Sequence, residues 1–304
     1  MRNVIINSEN YVKLIDSLQR EPLAPVSNDE TMIRSRFDKL AESNAVVYAT
    51  SVTILLACIL ATSIFKDFET GELSYPIWLP YDYSSPFLFT IVYVYQNINL
   101  VVTAFLNVSC DSLFTGLLIH TCGQLEILRH RLRHVNRNGG YSAEHCARLH
   151  NRIYKLVHPL RSLIFATIVG ERFKTIICIQ FLVSTSTICV EIYNLTQRDL
   201  DSKYIVTVGY TSCVVLQILY YCWNGNEVRL KSLEIPGMIM ESDWISLDTG
   251  DRKTFLIIMN RATMPIEFRS AHVATMNLES FMAVSTNLIY VLHILLSNLI
   301  EPCL

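Results

Sequence analysis

The chain has 304 residues, of which 51% are hydrophobic and only 17% are charged. Soluble domains carry about 25% charged residues, so this composition argues against an ordinary water-soluble enzyme. The formal net charge of −2 gives no general reason to bind nucleic acid, and 10 glycines and 9 prolines are too few for a collagen-like or low-complexity chain.

Five apolar stretches are long enough to cross a bilayer, for which a helix needs about 20 residues. In chain order they are 46–65, 86–118, 173–195, 204–223 and 278–300. Buried helices of a large soluble core are the alternative, but five such runs in one chain make it the weaker interpretation. We therefore predict an all-α fold, a polytopic helical membrane protein with five transmembrane helices.

The 44 residues before the first span have helical patterning of their own. Apolar side chains between Tyr11 and Leu18 recur at three- and four-residue spacing, and Pro22 and Pro25 then interrupt the pattern. Residues 27–30, Ser-Asn-Asp-Glu, are typical of a helix start. This segment therefore looks more like a loop that joins helices than like a free amino-terminal tail.

The second span carries Asp111 near its end, which predicts a tilted helix whose end projects into water. The connection that follows, residues 120–172, places Leu125, Leu128 and Leu132 at helical spacing among arginines. We predict a membrane helix that runs on into the cytoplasm as a basic extension. A basic patch for acidic lipid or nucleic acid is the alternative.

The lysine and arginine counts of the loops predict the orientation, because cytoplasmic loops accumulate these residues. Six precede the first span, nine lie between the second and third, and six lie between the fourth and fifth, whereas the other two loops hold one and two. The amino terminus is therefore predicted to be cytoplasmic and Leu304 to lie outside. Asn194 begins an N-glycosylation acceptor sequence in a loop predicted to lie outside, which agrees with this orientation.

The sequence carries no motif for catalysis or metal binding. None of its nine cysteines forms a C-x-x-C pair, and its eight histidines never take the H-E-x-x-H spacing. It also lacks the glycine-rich phosphate loop, the dinucleotide-binding fingerprint and the G-x-S-x-G nucleophile elbow. We therefore predict that the protein is not an enzyme and uses no metal or cofactor.

Several short motifs follow one another in the carboxy-terminal third. They are YCWNGNEV at 221–228, with a glycine-centred polar turn predicted at 224–226, SDW at 242–244, an amphipathic stretch at 253–261, RATMP at 261–265 and LESF at 278–281. In this order, before a final apolar helix, they resemble the carboxy-terminal signature of the insect odorant receptors. YPIWLPYD at 75–82 is similar to the loop before that family's fourth helix, and QLEIL at 124–128 to the sequence after it.

The resemblance implies a seven-helix protein whose helices three to seven match the five predicted spans. This chain would then lack the first two helices and be a truncated form of such a receptor, and a non-functional form stays open as an alternative. Its parts would be a cytoplasmic loop-like segment at 1–44, transmembrane helices at 45–223 with the basic extension at 120–172, cytoplasmic inter-subunit helices at 224–276 and a pore-lining helix at 277–304.

The resemblance also implies a function, that of an odorant receptor tuning subunit in the plasma membrane of sensory neurons. Such a subunit binds volatile hydrophobic ligands and, in a hetero-tetramer with a shared co-receptor subunit, gates a non-selective cation channel. Carried onto this sequence, the pore-lining residues are Ile294, Leu295, Ser297 and Asn298. Residues 287–291, Asn-Leu-Ile-Tyr-Val, depart from the family's pattern in that helix. Contacts between subunits are expected at Trp223, Trp244, Phe255 and Ile258.

An odorant pocket needs apolar and aromatic walls with few polar groups. We expect it in the outer halves of the first, second and fourth spans, at Ala61, Thr62, Phe65, Tyr93, Gln96, Asn97, Tyr204, Thr207 and Val208. Two other classes stay open, a heptahelical receptor coupled to G proteins and a small-molecule transporter. The first would end in the cytoplasm, and the second needs an inverted repeat, a feature missing from this sequence.

Overall fold

A computed structural model describes residues 22–68, 85–135, 141–162, 183–193 and 202–267, with shorter pieces within 71–78 and 269–286. The chain forms two compact units. Unit 1 consists of Met1–Ala41, Gly116–Phe181 and Tyr221–Phe281. Unit 2 consists of Glu42–Thr115, Leu182–Tyr220 and Met282–Leu304.

Almost all of the described residues are helical. α1 is Asn28–Thr62 and is extended by a π-helical turn at Ser63–Asp67. The next helices are α2 at Pro86–Arg133, α3 at Ala143–Ser162, α4 at 183–193 and α5 at Ser202–Leu233. They are followed by α6 at Ile235–Glu241, a 3₁₀ turn at Trp244–Ser246 and α7 at Thr249–Ala262. Arg269–Ser270 pairs antiparallel with Ala274–Thr275, a contact too small to alter the all-α class.

Three of the described helices are long and apolar enough to cross a membrane, namely Asn28–Phe65, Pro86–Arg133 and Tyr204–Glu241. They confirm the first, second and fourth predicted spans. The predicted spans at 173–195 and 278–300 lie mostly outside the described residues, although residues 183–193 are helical. The described part of the chain is therefore the helical, polytopic membrane fold that the hydropathy pattern predicts.

The start of α1 is defined by side chains that cap its first turn. The Ser27 Oγ accepts a hydrogen bond of 3.2 Å from the Glu30 N–H, and the Glu30 carboxylate accepts one of 2.7 Å from the Val26 N–H. Two backbone donors that the helix itself leaves unpaired are satisfied in this way. The predicted helix start at residues 27–30 is confirmed.

The helices run past the boundaries that hydropathy suggests. α1 begins at Asn28 rather than near residue 45, and α5 continues through Asn224 and Gly225 to Leu233, so the predicted polar turn at 224–226 is wrong. Hydropathy identifies only the apolar part of a helix that is soluble in lipid. The backbone hydrogen bonds of the helix can continue beyond that part until a cap ends them. A buried Gly225 is tolerated inside α5 because packing offsets its poor helix propensity of about 1 kcal/mol.

α2 is continuous over 48 residues, a length of about 72 Å. A hydrocarbon core is only about 30 Å thick, so much of this helix extends beyond it. The prediction that the second membrane helix runs on past its apolar stretch is confirmed.

In unit 1, α3 packs against α7, and α6 packs against the same helix. The buried side chains include Cys146, Leu149 and Ile153 on α3, and Phe255 and Ile258 on α7. Apolar residues at three- and four-residue spacing on each helix therefore form the interior of the unit.

His150 lies in the same interior and makes the stability of unit 1 depend on pH. Burial, aided by the nearby positive charge of Arg261, lowers the pKa of His150 from 6.5 to about 4. Between pH 6.5 and pH 4 the imidazole of His150 is therefore protonated in the unfolded chain but neutral in the folded chain. The free energy of unfolding decreases as the pH falls through this range.

We expect the free energy of unfolding of unit 1 to fall by about 2 kcal/mol between pH 7.5 and pH 5. Chemical unfolding of the purified chain, followed by tryptophan fluorescence, measures this change. His150→Leu should remove most of the pH dependence, whereas His134→Ala, at an exposed position, should retain it. An equal pH dependence in the His150 variant would contradict the assignment.

Candidate functional site

Unit 2 contains a buried polar contact flanked by two phenylalanine rings, of which that of Phe68 is exposed. The Ser63 Oγ, in the π-helical turn after α1, lies 2.8 Å from the Tyr93 OH on α2, and both side chains are buried. The ring of Tyr93 lies 5.1 Å from that of Phe68 and 6.0 Å from that of Phe89, measured between centroids. We call Ser63, Phe68, Phe89 and Tyr93 the Tyr93 cluster. It combines an apolar surface with one hydroxyl pair, the composition of a small-molecule site.

The π-helical turn contributes to this geometry. A π turn holds more residues than an α turn, so the side chains after it are rotated relative to an uninterrupted helix, and such turns are frequent at functional sites. Phe89 and Tyr93 are four residues apart and therefore share a face of α2. That spacing was visible in the sequence, whereas the contact between Ser63 and Tyr93 was not.

The residues predicted to line the pocket take different positions in unit 2. Tyr93 is at the centre of the cluster, and the amide of Asn97 donates a hydrogen bond of 2.9 Å to the Tyr93 carbonyl. The half-buried members of the predicted set are Thr62, Gln96, Asn97, Tyr204 and Thr207, and the exposed ones are Ala61, Phe65 and Val208. The described residues do not enclose these exposed members. Helical spacing alone does not tell which face of a helix its neighbours cover.

A second buried polar group lies elsewhere in unit 2. One carboxylate oxygen of Asp111 accepts hydrogen bonds from the Tyr48 OH at 2.9 Å, the Asn107 amide at 3.2 Å and the Gln217 amide at 2.7 Å. Asp111 is only 5% exposed. We call these four residues the Asp111 hub. The prediction that Asp111 marks a helix end in water is therefore wrong, since three neutral donors take the place of water.

Unit 1 contains a buried ion pair. Arg131 on α2 and Glu30 on α1 are both 0% exposed, and two guanidinium nitrogens donate to the two carboxylate oxygens at 2.8 and 2.7 Å. Arg131 also donates to the carbonyls of Pro22 and Ala24, at 2.9 and 3.0 Å. The predicted basic extension thus contains one arginine that is not at the surface, and it attaches the segment before α1 to α2.

The charge state of Glu30 follows from these contacts. Burial raises the pKa of Glu30, but hydrogen bonds from Arg131, Tyr141 and the Val26 N–H, together with the arginine's charge, outweigh it and hold the pKa at about 2. The pair is therefore ionised throughout the physiological range. Its contribution to stability is complete above about pH 4.5 and is lost as the pH falls towards 2.

The inter-subunit residues predicted on α7 are buried within unit 1. Phe255 is 0% exposed and Ile258 is 2% exposed, so both are enclosed by their own chain, whereas Ile257 is 70% exposed. Leu256 and Trp223 are also exposed, and Trp244 is half-buried. Periodicity identifies the apolar stripe of a helix, but that stripe was already covered by unit 1 itself.

Other predicted sites lie outside the described residues. They are the pore-lining set Ile294, Leu295, Ser297 and Asn298 and the glycosylation acceptor Asn194. Among the residues that the structure describes, no three His, Cys, Asp or Glu side chains converge as metal ligands would.

The sequence profile of a family described as 7tm Odorant receptor matches residues 1–289 of this chain. The chain belongs to this odorant receptor family. A heptahelical receptor coupled to G proteins and a small-molecule transporter are therefore not favoured.

Relatives within the odorant receptor family are distant in sequence. Odorant receptor 10 of Aedes albopictus is 26% identical over 208 residues, which are 66% of this chain and 52% of that protein. Odorant receptor 46a, isoform A, of Drosophila melanogaster is 22% identical over 267 residues, 87% of this chain and 69% of that protein. The chain spans about half the length of the first of these relatives.

A solved structure has the same fold. The insect olfactory receptor OR5 from Machilis hrabei, in complex with eugenol, superposes with a TM-score of 0.79 over 97% of this chain and 76% of that chain, at 19% sequence identity. The likeness agrees with the helical membrane fold of the family.

Proposed function

We propose that this chain is an odorant receptor tuning subunit. It binds volatile, mostly apolar molecules and gates a non-selective cation channel together with a co-receptor subunit, in a hetero-tetramer in the plasma membrane of sensory neurons. The observation that carries the proposal is the match of the odorant receptor family profile to residues 1–289. The apolar helices of unit 2 support it, because sites for small apolar ligands are lined mostly by apolar side chains.

The ligand contacts the Tyr93 cluster. Phe68 and Phe89 supply aromatic surface, and the hydroxyls of Ser63 and Tyr93 supply a hydrogen-bonding group for an odorant alcohol, phenol or carbonyl. The half-buried residues Thr62, Gln96, Asn97, Tyr204 and Thr207 remain candidates for further contacts.

The proposed membrane orientation rests on the loop charges, and the proposed pore residues rest on the resemblance to the family. The loop charges favour a cytoplasmic amino terminus and an external carboxy terminus, with Asn194 outside. The Tyr93 cluster then lies in the outer half of the membrane, and the Asp111 hub lies near the cytoplasmic side. Ile294 and Leu295 form an apolar constriction that gates by excluding water, and Ser297 and Asn298 supply neutral polar groups at its mouth.

The surface that meets other subunits is the exposed side of α7. Leu256 and Ile257 are large apolar side chains that unit 1 leaves uncovered, and Trp223 on α5 and Met264 after α7 are exposed as well. Apolar groups of this kind outside the lipid are typical of protein interfaces.

Voltage-clamp recording of the chain co-expressed with its co-receptor subunit tests the function. Tyr93→Phe removes one hydroxyl and keeps the ring, so the half-maximal concentration for hydroxyl- and carbonyl-bearing odorants should rise about three- to tenfold. Hydrocarbon odorants, which form no hydrogen bond, should be unaffected. Tyr95→Phe, two residues along the same helix and exposed, is the matched control.

Two results would contradict these proposals separately. A wild-type chain that reaches the cell surface with the co-receptor and responds to no odorant of a broad panel would refute the receptor function. Responses that are present but insensitive to Tyr93→Phe would refute only the assignment of the Tyr93 cluster.

A further inference from the structure

We propose that Asp111 is a positioning residue for gating, which pins α1, α2 and α5 to one another at the cytoplasmic side of unit 2 and so sets how far ligand binding moves them. This inference rests on the proposed function. It concerns a site distinct from the one that contacts the odorant.

The geometry of the hub is that of a joint between three helices. Tyr48 belongs to α1, Asp111 to α2 and Gln217 to α5, and the donors of both neighbouring helices meet the same carboxylate oxygen of Asp111. Asn107, one turn earlier on α2, donates to that oxygen as well. Displacement of either neighbouring helix along α2 therefore breaks a hydrogen bond to Asp111.

A buried carboxyl group adds little to the free energy of packing between helices. Buried ionisable groups lose their hydration, and well-packed apolar residues of the same volume often give equal or greater stability. What a buried hydrogen-bonded group adds is a defined arrangement, because its bonds form in one register and are lost in others. The hub therefore favours one alignment of the three helices over alternatives that apolar packing would tolerate.

The hub is connected to the Tyr93 cluster by the helices themselves. Tyr48 and Ser63 lie about 22 Å apart along α1 and its π turn, and Tyr93 and Asp111 lie about 27 Å apart along α2. Both sites thus join the same pair of helices, the Tyr93 cluster near one end of each helix and the hub near the middle of each. A rigid helix that is pinned near its middle turns a shift at one end into a rotation about the pinned point.

α5 is coupled to this pair between the two sites. A Cβ atom placed on Gly209 would lie 3.0 Å from the Leu55 Cδ1 on α1, so the two helices cross closely there. Movement of α1 is thereby passed to α5, and Gln217 carries it to Asp111. Energetic coupling between distant sites requires an element that has two discrete arrangements. The hub is such an element, because its hydrogen bonds form in one alignment of the helices and break in others.

Recordings of odorant-evoked and unstimulated current in hub variants test the proposal. Asp111→Asn, Tyr48→Phe and Gln217→Leu each weaken the hub while preserving side-chain volume. After correction for surface expression, each should shift the half-maximal odorant concentration or the unstimulated current by about fivefold or more, all in the same direction. The double variant of Tyr48→Phe and Asp111→Asn should shift it less than the product of the single effects, since both changes act on the same hydrogen bond between Tyr48 and Asp111.

Two variants control for loss of a hydroxyl on the same helices. The hydroxyls of Thr50 on α1 and Ser212 on α5 are exposed and bond only to carbonyls of their own helix. Thr50→Val and Ser212→Ala should leave both currents within about twofold of wild type. Hub variants that behave like these controls, or shifts that multiply independently, would overturn the positioning role.

Hydrogen–deuterium exchange of the purified chain in lipid nanodiscs tests the hub without any current. Asp111→Asn should speed exchange in peptides that contain Tyr48 and in those that contain Gln217, and leave peptides around Tyr93 unchanged. If the wild-type chain responds to no odorant, the receptor function fails while this exchange measurement still decides on the hub. Faster exchange confined to α2, or spread evenly over all of unit 2, would show a merely structural role and overturn the inference.

Discussion

Replacement of Arg131 by methionine should lower the free energy of unfolding of unit 1 by about 3–5 kcal/mol. The methionine keeps much of the side-chain volume but leaves the carboxylate of Glu30, which is 0% exposed, without its partner. It also leaves the carbonyls of Pro22 and Ala24 without their donors. Thermal unfolding of the detergent-solubilised chain, followed by size-exclusion chromatography, measures the loss.

A neighbouring arginine provides the matched control. Arg133 donates to Glu241 at 3.1 Å, but both side chains are exposed, and exposed pairs contribute at most about 1 kcal/mol. Arg133→Met should therefore have little effect on unfolding. Adding Glu30→Gln to Arg131→Met should recover part of the loss, because no buried charge then remains unpaired. Equal destabilisation by Arg131→Met and Arg133→Met would refute the prediction that the buried pair contributes more to stability than the exposed pair.

The second large effect distinguishes the two faces of α7. Phe255→Ala should destabilise unit 1 by about 3–5 kcal/mol, since it leaves a cavity at a fully buried position. Ile257→Asp lies on the exposed face and should change the free energy of unfolding by less than about 0.5 kcal/mol. It should nevertheless abolish co-purification with the co-receptor subunit, because it places a charge in the apolar interface proposed above.

Asn260→Asp adds the same charge to an exposed polar position of α7 and should leave co-purification intact. Affinity capture from solubilised membranes, with surface labelling to confirm insertion, measures both properties. If Ile257→Asp still co-purifies, the exposed side of α7 is not the interface. If Phe255→Ala unfolds no more readily than wild type, the packing of α3 against α7 contributes less to the stability of unit 1 than the burial of Phe255 indicates.

The helical membrane fold was predictable because its signals are local. Apolar stretches of span length identified α1, α2 and α5 as membrane helices, and the sequence at 27–30 identified the start of α1. The ends of α1 and α5 were not predictable from hydropathy, since a helix continues in water wherever its backbone and neighbours permit.

The candidate site was only partly predictable for a different reason. Tyr93 was among the predicted pocket residues because an aromatic residue with a hydroxyl in an apolar span suits a ligand contact. Its partner Ser63 is 30 residues away in the chain, and the π turn that presents it leaves no signal in hydropathy. On α7 the apolar stripe was visible, but whether its own chain or another subunit covers it depends on the fold of unit 1.

Composition, hydropathy and short motifs by themselves determined that this protein is a helical membrane protein of the odorant receptor type. Lipid solubility and helix capping act over a few turns, so neighbouring residues carry that information. Only the tertiary structure decided which polar residues are buried. Arg131 meets Glu30 across 101 residues of chain, and Asp111 meets Tyr48 and Gln217 across 63 and 106. A charge in an apolar stretch is compatible with water, with lipid at a helix end or with a buried partner, and only the packing of distant helices selects among them.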